Sequence, residues 1–511
     1  MSTPINWANA NLGEVCEIIR GITFPASVKE DEQTSSNICC LRTSNIQDEL
    51  DWSDTYFVPS EYVKRENQIV REGDILMSMA NSYELVGKVS LVRTLPYKAS
   101  FGAFLSSIRA CSDINGKYLY YILKTHSVQS SLRRGSSQTV NIANISVKAM
   151  SAIEIPIAPL NEQKRIADKL DQTLAIVERA RARLARVPDI LKRFRQSVLA
   201  AATEGRLTED WRRDNPISET GAVLLQRIRY DHYRRWEQTQ TKVKGKAVRL
   251  LNADGLAAGY KPPEKVDADD LTDLPETWSW GSGAEIVEPG ADIVYGVVQP
   301  GPKLETGVPY VRGMDIENGR ILIDQLMKTS PSIADRYSRS ALAGGDILLG
   351  IIRATKVAIV PEELTGANIT QGTARFRPSS VISTRFLAYV LAAPATQRWL
   401  HEHYRGIDMP GLNLADVRRV PIPLAPIAEQ SEIVRRVETL FTLADRIEAR
   451  YKAISARVDI LTQALLAKAF RGELVRQDPS DEPAEKLLER IRAARAELSA
   501  PGKRNRKAVA S

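Results

Sequence analysis

The sequence predicts an α+β chain in which two mixed α/β globular domains are separated by an antiparallel two-helix coiled coil, with a pseudo-twofold internal repeat. Three observations carry this. First, a block opening Pro159-Leu160-Asn161-Glu162-Gln163 and closing Gly205-Arg206-Leu207 returns as Pro426-Ile427-Ala428-Glu429-Gln430 to Gly472-Glu473-Leu474, displaced by 267 residues at both ends. Second, apolar or small residues advance through both blocks by alternating steps of four and three. They are Ile166, Leu170, Thr173, Val177, Ala180, Leu184, Val187, Leu191, Phe194 and Val198, then Ile433, Val437, Leu440, Ala444, Ile447, Tyr451, Ile454, Val458, Leu461 and Leu465. That rhythm is the seam of a coiled coil, and a seam present twice lets the helices pair with each other. Third, the segments ahead of the two blocks correspond: Gly73-Asp74-Ile75-Leu76 with Gly345-Asp346-Ile347-Leu348, Lys88-Val89 with Lys356-Val357, and Tyr118-Leu119-Tyr120-Tyr121 with Phe386-Leu387-Ala388-Tyr389.

The order along the chain follows: residues 1–158 a first globular domain, 159–205 a coil helix, 206–275 a connector, 276–425 a second globular domain, 426–474 the second coil helix, and 475–511 a C-terminal helix with a basic tail. In the globular domains, Lys88 to Val92, Ile153 to Ile157, Lys356 to Val360 and Val420 to Leu424 read as strands, and Tyr118 to Ser131 and Thr384 to His403 as helices. Proline-rich entries ending at Pro159 and Pro426 keep the chain extended before each coil helix, and Gly205 and Gly472 are natural helix stops. Pro188 lies inside the first helix and should kink or break it; the second copy has Ser455 there. In the connector, Val223 to Trp236 is amphipathic, and its Leu224-Leu225-Gln226-Arg227-Ile228 recurs as Leu487-Leu488-Glu489-Arg490-Ile491.

At 511 residues several domains are expected, and 43% hydrophobic with 26% charged residues is ordinary globular composition. No apolar run approaches a membrane span and the first residues lack a signal-peptide pattern, so the chain reads as cytoplasmic, without a membrane partner. Cys16, Cys39, Cys40 and Cys111 have neither zinc nor disulfide spacing and read as free, mostly buried thiols. The lone His401-Glu402-His403 cluster reads as surface histidines, with no metal site expected. The net charge of +8 hints at a polyanionic partner, but residues 1–160 carry 15 basic and 16 acidic groups and residues 276–427 carry 15 of each. Nucleic-acid binding would require the basic groups to be gathered on one face.

No Gly-x-x-x-x-Gly-Lys-Ser/Thr loop is present, Asp214-Asn215-Pro216-Ile217 lacks the second proline and aromatic of an amino-methyltransferase, and Pro188-Asp189 has no Glu-x-Lys at nuclease spacing. No catalytic residues are therefore assigned.

A variable globular segment, a Pro-x-x-Glu-Gln helix, and both again resemble the specificity subunit of type I restriction-modification systems. The resemblance covers nearly the whole chain and is reinforced by Glu204-Gly205-Arg206-Leu207-Thr208 followed by Trp211, and by Arg471-Gly472-Glu473-Leu474. It implies that each globular segment is a target recognition domain reading one half of a split, asymmetric double-stranded DNA site. The helices would hold the domains apart and bind two methyltransferase subunits, with restriction subunits joining the full complex. It further implies no cofactor on this chain, with S-adenosylmethionine in the methyltransferase subunits and ATP and Mg in the restriction subunits. A helix of about 45 residues spans roughly 65 Å, enough to separate two heads by one DNA turn of about 34 to 36 Å.

Base reading needs side chains with paired donors and acceptors on exposed loops. In the first domain the candidates are Arg133, Arg134, Ser136, Gln138 and Asn141, then Arg42, Ser44 and Asn45, and Tyr83. In the second they are Tyr295, Gln299, Arg312, Arg353, Lys356, Gln371, Arg405 and Asn413. Against these stands a bland reading: the Gly-Asp-Ile-Leu segments are turns entering buried strands, and Asn141 and Asn413 cap closing turns. Arg435, Arg436, Lys192 and Arg193 on the coils are solvated faces or contacts to phosphate or partner. Two rival functions stay open: a self-contained DNA methyltransferase or nuclease with divergent motifs, and a coiled-coil adaptor whose globular segments hold proteins.

Overall fold

The computed structural model describes residues 4–138, 143–216, 218–244, 259–267 and 271–499. The chain divides into a terminal unit, residues 1–185 with 452–511, and a central unit, residues 186–451. Each unit thus owns one globular domain and parts of both coil helices.

In the terminal unit an antiparallel sheet runs in the order Cys16–Arg20, Leu105–Ala110, Ile75–Ser78, Val89–Leu91. Beside it Asn37–Leu41 lies between antiparallel Tyr56–Pro59 and parallel Ala99–Phe101. The central unit repeats the plan with Val294–Tyr295, Thr373–Phe376, Ile347–Gly350 and Val357–Ile359, and with Val308–Val311 between Met327–Thr329 and Asn368–Ile369. The two Gly-Asp turns enter these sheets as expected of structural residues: Asp74 accepts from Arg109 at 2.6 and 2.7 Å, and Asp346 from Arg377 at 2.8 Å twice. Each predicted helix of the globular domains is two. The first breaks between Gly116–Leu123 and His126–Arg134, where the Thr125 hydroxyl caps Val128 N–H. The second breaks between Thr384–Ala392 and Pro394–Glu402, because Pro394 cannot continue a helix.

The first coil helix also breaks, into Leu160–Leu184 and Val187–Thr203, with Pro188 in the first turn of the second piece. Its counterpart Ile427–Ala469 is continuous. Within the terminal unit the pairing is antiparallel: Arg165 meets Asp481, beyond the end of the other helix, while the later Arg181 meets the earlier Asp459. The central unit shows the same sense, with Arg195 on Asp445 and Glu448 and the earlier Arg436 on the later Asp210. Arg436 is therefore a structural ion-pair residue, not a free solvated one. Ile166, Leu170, Val177, Leu191, Val198, Ile433, Val437 and Val458 are buried, and Leu184 and Leu465 half-buried. Ile447, at 42% exposed, together with Ile454 and Leu461, corrects the expected seam. A straight helix drifts about 20° per heptad from a 3.5-residue stripe, so along Ile427–Ala469 the expected Ala444 stays buried while burial near the end passes to Leu466.

The Pro-x-x-Glu-Gln motif is a clasp. Trp7 Nε1 donates to Glu162 at 3.0 Å, and Trp278 Nε1 to Glu429 at 2.9 Å. Gln163 donates to the Ala158 carbonyl and accepts from Asn115 N–H; Gln430 does the same with Ala425 and Ser383. The motif thus locks each coil helix to the first strand of its globular domain. The clasps differ in one respect. Glu429 also receives Thr208 Oγ1 at 2.7 Å and an ion pair from Arg212 at 3.0 Å, whereas Glu162 Oε1 is buried without a partner.

The connector's amphipathic stretch forms a longer helix than the sequence suggested. Its helix, Gly221–Lys244, buries Leu224, Leu225 and Ile228 in the core of the central unit with Trp278 and Ile286. The recurring residues Leu487, Leu488 and Ile491, on helix Ala484–Ser499, enter the core of the terminal unit with Trp7, Ala10 and Leu12. Gly205 and Gly472 have φ of +75° and +74°, and both are tight against a proline, Pro275 and Pro4 respectively. The terminal unit is therefore a circularly permuted version of the central one, assembled from both ends of the chain. No described helix is long and apolar enough to cross a membrane.

Candidate nucleic-acid interface

Strand register places the candidate loops at one edge of each globular domain. In the terminal unit Arg20 pairs with Ser106 and Ser78 with Leu105, while Leu41 runs parallel beside Phe101. The segments that follow Arg20, Leu41, Ser78 and Phe101 therefore all leave from the same end. A fifth loop joins them where Ala80 and Asn81 pair with Asn144 and Ala143. In the central unit Tyr295 pairs with Ala374 and Gly350 with Thr373, and Val311 runs beside Ile369. The segments 296–300, 312–315, 351–356 and 370–372 consequently form the matching edge. Segment 405–411 joins it through the bridge between Ile352 and Gly411.

Not every candidate on these edges is available. Asn45 is fully buried: it accepts from Arg42 N–H and donates to the Asp51 and Asp54 carbonyls, so its amide holds a turn and cannot read a base. Arg312 is likewise committed, chelated by Asp315 at 2.7 and 2.9 Å with Met327 Sδ at 3.1 Å. Asn413 caps helix Leu414–Arg419 by accepting from Asp416 N–H. Ser136 returns its hydroxyl to the Arg133 carbonyl. These polar groups are consumed because a tight loop must satisfy its own backbone before it can offer anything outward.

Others are open to solvent. Arg42 lies 5.5 Å over the Tyr56 ring and pairs with the exposed Asp54. Ser44, Tyr83, Arg134, Tyr295, Gln299, Arg353, Lys356 and Gln371 are exposed, and Arg405 is exposed while pairing with Asp416 at 3.3 Å. Tyr83, Arg133 and Arg134 line a shallow recess with His126 and Ser130. Gln138 lies in the short strand Ser137–Gln138, and Asn141 falls outside the described residues. Arg353 has a left-handed backbone, φ +66°, uncommon for a side chain of its size. Strain of that kind is concentrated where a side chain must be aimed.

The sequence reading passed over apolar members of both edges. Phe104 and Met314 are each 68% exposed. Phe104 borders a recess of about 410 Å³ shared with Phe24, Lys29, Arg42 and Tyr56. Their only signal was position, three residues beyond the end of a strand. The remaining singled-out groups are structural. Burial pushes the Cys16 and Cys40 thiols up to about 12, which suits inert core cysteines, and His403 stacks on Trp399. Among the described residues no group of three or more metal-ligating side chains comes together.

A duplicated frame with unlike side chains on its two loop edges defines a class, that of two-headed scaffold proteins. Comparison narrows it. A family model described as the type I restriction modification DNA specificity domain matches residues 4–187 and 302–455. The EcoBI specificity subunit of Escherichia coli is 35% identical over 392 residues, 75% of this chain and 72% of that protein. The EcoKI specificity subunit of Escherichia coli strain K12 is 29% identical over 509 residues, 96% of each. A chain from a structure describing assembly and conformational transition of the type I R-M system aligns with TM-score 0.63 at 17% identity, covering 93% of this chain and 100% of its own. The HsdS subunit of Thermoanaerobacter tengcongensis aligns with TM-score 0.54 at 17% identity, covering 93% and 98%. This chain belongs to the type I restriction-modification specificity family.

Proposed function

We propose that this chain is the non-catalytic sequence-reading subunit of a type I restriction-modification complex, each loop edge reading one half of a bipartite, asymmetric double-stranded DNA site. The observation that carries the proposal is the pair of equivalent edges built on one frame but lined by different residues. A frame that recurs while its reading surface does not suits two unlike half-sites. The exposed Arg353, Lys356 and Gln371 of one edge, and Arg42, Arg133 and Arg134 of the other, supply donors for bases and phosphates. The paired helices set the half-site spacing and hold two methyltransferase subunits, through which restriction subunits join. In this reading S-adenosylmethionine belongs to the methyltransferase subunits, and ATP with Mg to the restriction subunits.

The test is to assemble the chain with its methyltransferase partner and map methylated positions on DNA of random sequence. A split target of two defined halves is expected, with no transfer by the isolated chain. Robust methyl transfer by the chain alone would reveal an enzyme, and partner capture without any sequence-dependent DNA retention would reveal an adaptor.

A further inference from the structure

The loop edge of the central unit carries an apolar tip that the fold leaves unused. Residues 406–410 read Gly-Ile-Asp-Met-Pro and form the end of a hairpin. Its base is closed by reciprocal backbone bonds of 2.9 Å between Arg405 and Gly411. A third bond, from Arg353 N–H to the Pro410 carbonyl at 2.8 Å, ties it to the neighbouring loop. Gly406, at φ +92°, permits the turn. At the end of this hairpin Ile407 is 98% exposed and Met409 57%.

A single exposed apolar side chain is ordinary on a protein surface. Here two share one short tip, which three backbone bonds tie to the loop edge. The exposed Arg353 and Arg405 stand at the base of this hairpin, Arg405 paired with Asp416 at 3.3 Å, and the exposed Lys356 lies in the same segment as Arg353. An apolar tip on a backbone-tied hairpin with cations at its base matches a nucleic-acid wedge, in which the cations hold phosphates while the apolar group enters the stack. Asp408 and Glu402 are the acidic groups nearby in the chain. In the repeat, Gly135 through Asn141-Ile142 resembles Gly406 through Asn413-Leu414, and Gly135 to Asn141 is polar apart from Val140.

Resting on the DNA-reading function above, we infer that Ile407 is a wedge that enters the base stack at one step of the second half-site, unstacking it and bending the duplex, with Met409 against the same step. This head would then recognise deformability at a step whose base edges it does not need to contact. A flexible pyrimidine–purine step is the chemistry it would favour.

The assembled complex and its mapped target provide the test. 2-Aminopurine is placed in turn at each position of the second half-site other than the methylated one, and end-labelled duplexes report bending by energy transfer. The native complex is expected to brighten one step and bend the duplex. Ile407→Ala should abolish both signals and weaken cognate binding roughly tenfold, the scale of losing one buried aliphatic side chain. Ile407→Leu should restore them. The near-complete exposure of Ile407 makes misfolding an unsuitable explanation for a loss. Specific binding by the native complex with every probe dark and the duplex unbent, or retention of both signals by Ile407→Ala, overturns the wedge and leaves DNA reading standing. Weaker binding by Ile407→Ala without unstacking in the native complex also overturns it, assigning Ile407 to a thymine methyl in the groove. No sequence-dependent binding by the native complex would defeat the DNA-reading function itself.

Discussion

Glu162 and Glu429 occupy the same place in the repeat and have different surroundings. Three side chains, Trp278, Thr208 and Arg212, satisfy Glu429, whereas Glu162 has only Trp7 and its second oxygen is orphaned. Glu429→Gln leaves the half-buried Arg212 without its anion and is expected to cost about 3 kcal/mol or more, read by denaturant unfolding. Glu162→Gln has a different pH signature. Burial is the main influence holding the Glu162 carboxyl above the usual carboxylate range. A raised carboxyl keeps its proton longer in the folded chain. Its stabilising contribution is thus present at acid pH and lost as pH climbs from the ordinary value through the raised one. Stability of Glu162→Gln relative to the native chain should therefore improve between acid and neutral pH, and a flat difference would refute this account. Asn45 provides a second contrast. Asn45→Ala should destabilise by about 2 kcal/mol, because buried backbone groups lose their partners, and should lower Tm without changing half-site preference. Arg353→Ala with Lys356→Ala should instead leave Tm unchanged and weaken DNA binding, uniformly across sequences if the contacts are to phosphate.

The C-terminal helix Ala484–Ser499 looks dispensable in a linear reading, yet it covers the first strand of the chain. Leu487 and Leu488 are buried beside Trp7 and Leu12. Leu488→Ala is expected to cost about 2 to 5 kcal/mol, with hydrogen-exchange protection lost throughout the terminal unit and kept in the central one. Leu225→Ala, its counterpart, should do the reverse. Simultaneous loss in both units would contradict the division of the chain. Among the coil helices, the break after Leu184 follows from Pro188, which removes a donor and crowds the preceding turn.

Because each unit closes its own core, exchanging residues 1–150 for those of a relative is expected to change one half-site and leave the other intact, as methylation mapping would show. A swap that altered both halves would show coupled reading heads. Inserting one heptad in only one coil helix, near Ala175, should destabilise the pair, while a matched insertion opposite it, near Leu465, should restore it. Seven residues add roughly 10 Å of helix, equivalent to about three base pairs. A folded, matched variant that methylates the original spacing would show that the coil does not set the distance.

Sequence periodicity alone was sufficient for the duplicated frame. The 267-residue displacement is written in the sequence itself, and the glycine stops and the proline break are local patterns that backbone preferences express without tertiary help. The loop regions held the candidates, because loops are where polar side chains and turn residues collect. Three features required the folded chain. The clasp brings Trp7 to Glu162 and Trp278 to Glu429 across 155 and 151 residues, so its partners share no local pattern. The permuted terminal unit pairs the two chain ends, which periodicity cannot connect. The division of the loop candidates into committed and exposed groups depends on hydrogen-bond partners. Asn45 and Ser44 are adjacent and equally polar, but strand register and turn geometry consume the first and leave the second facing solvent.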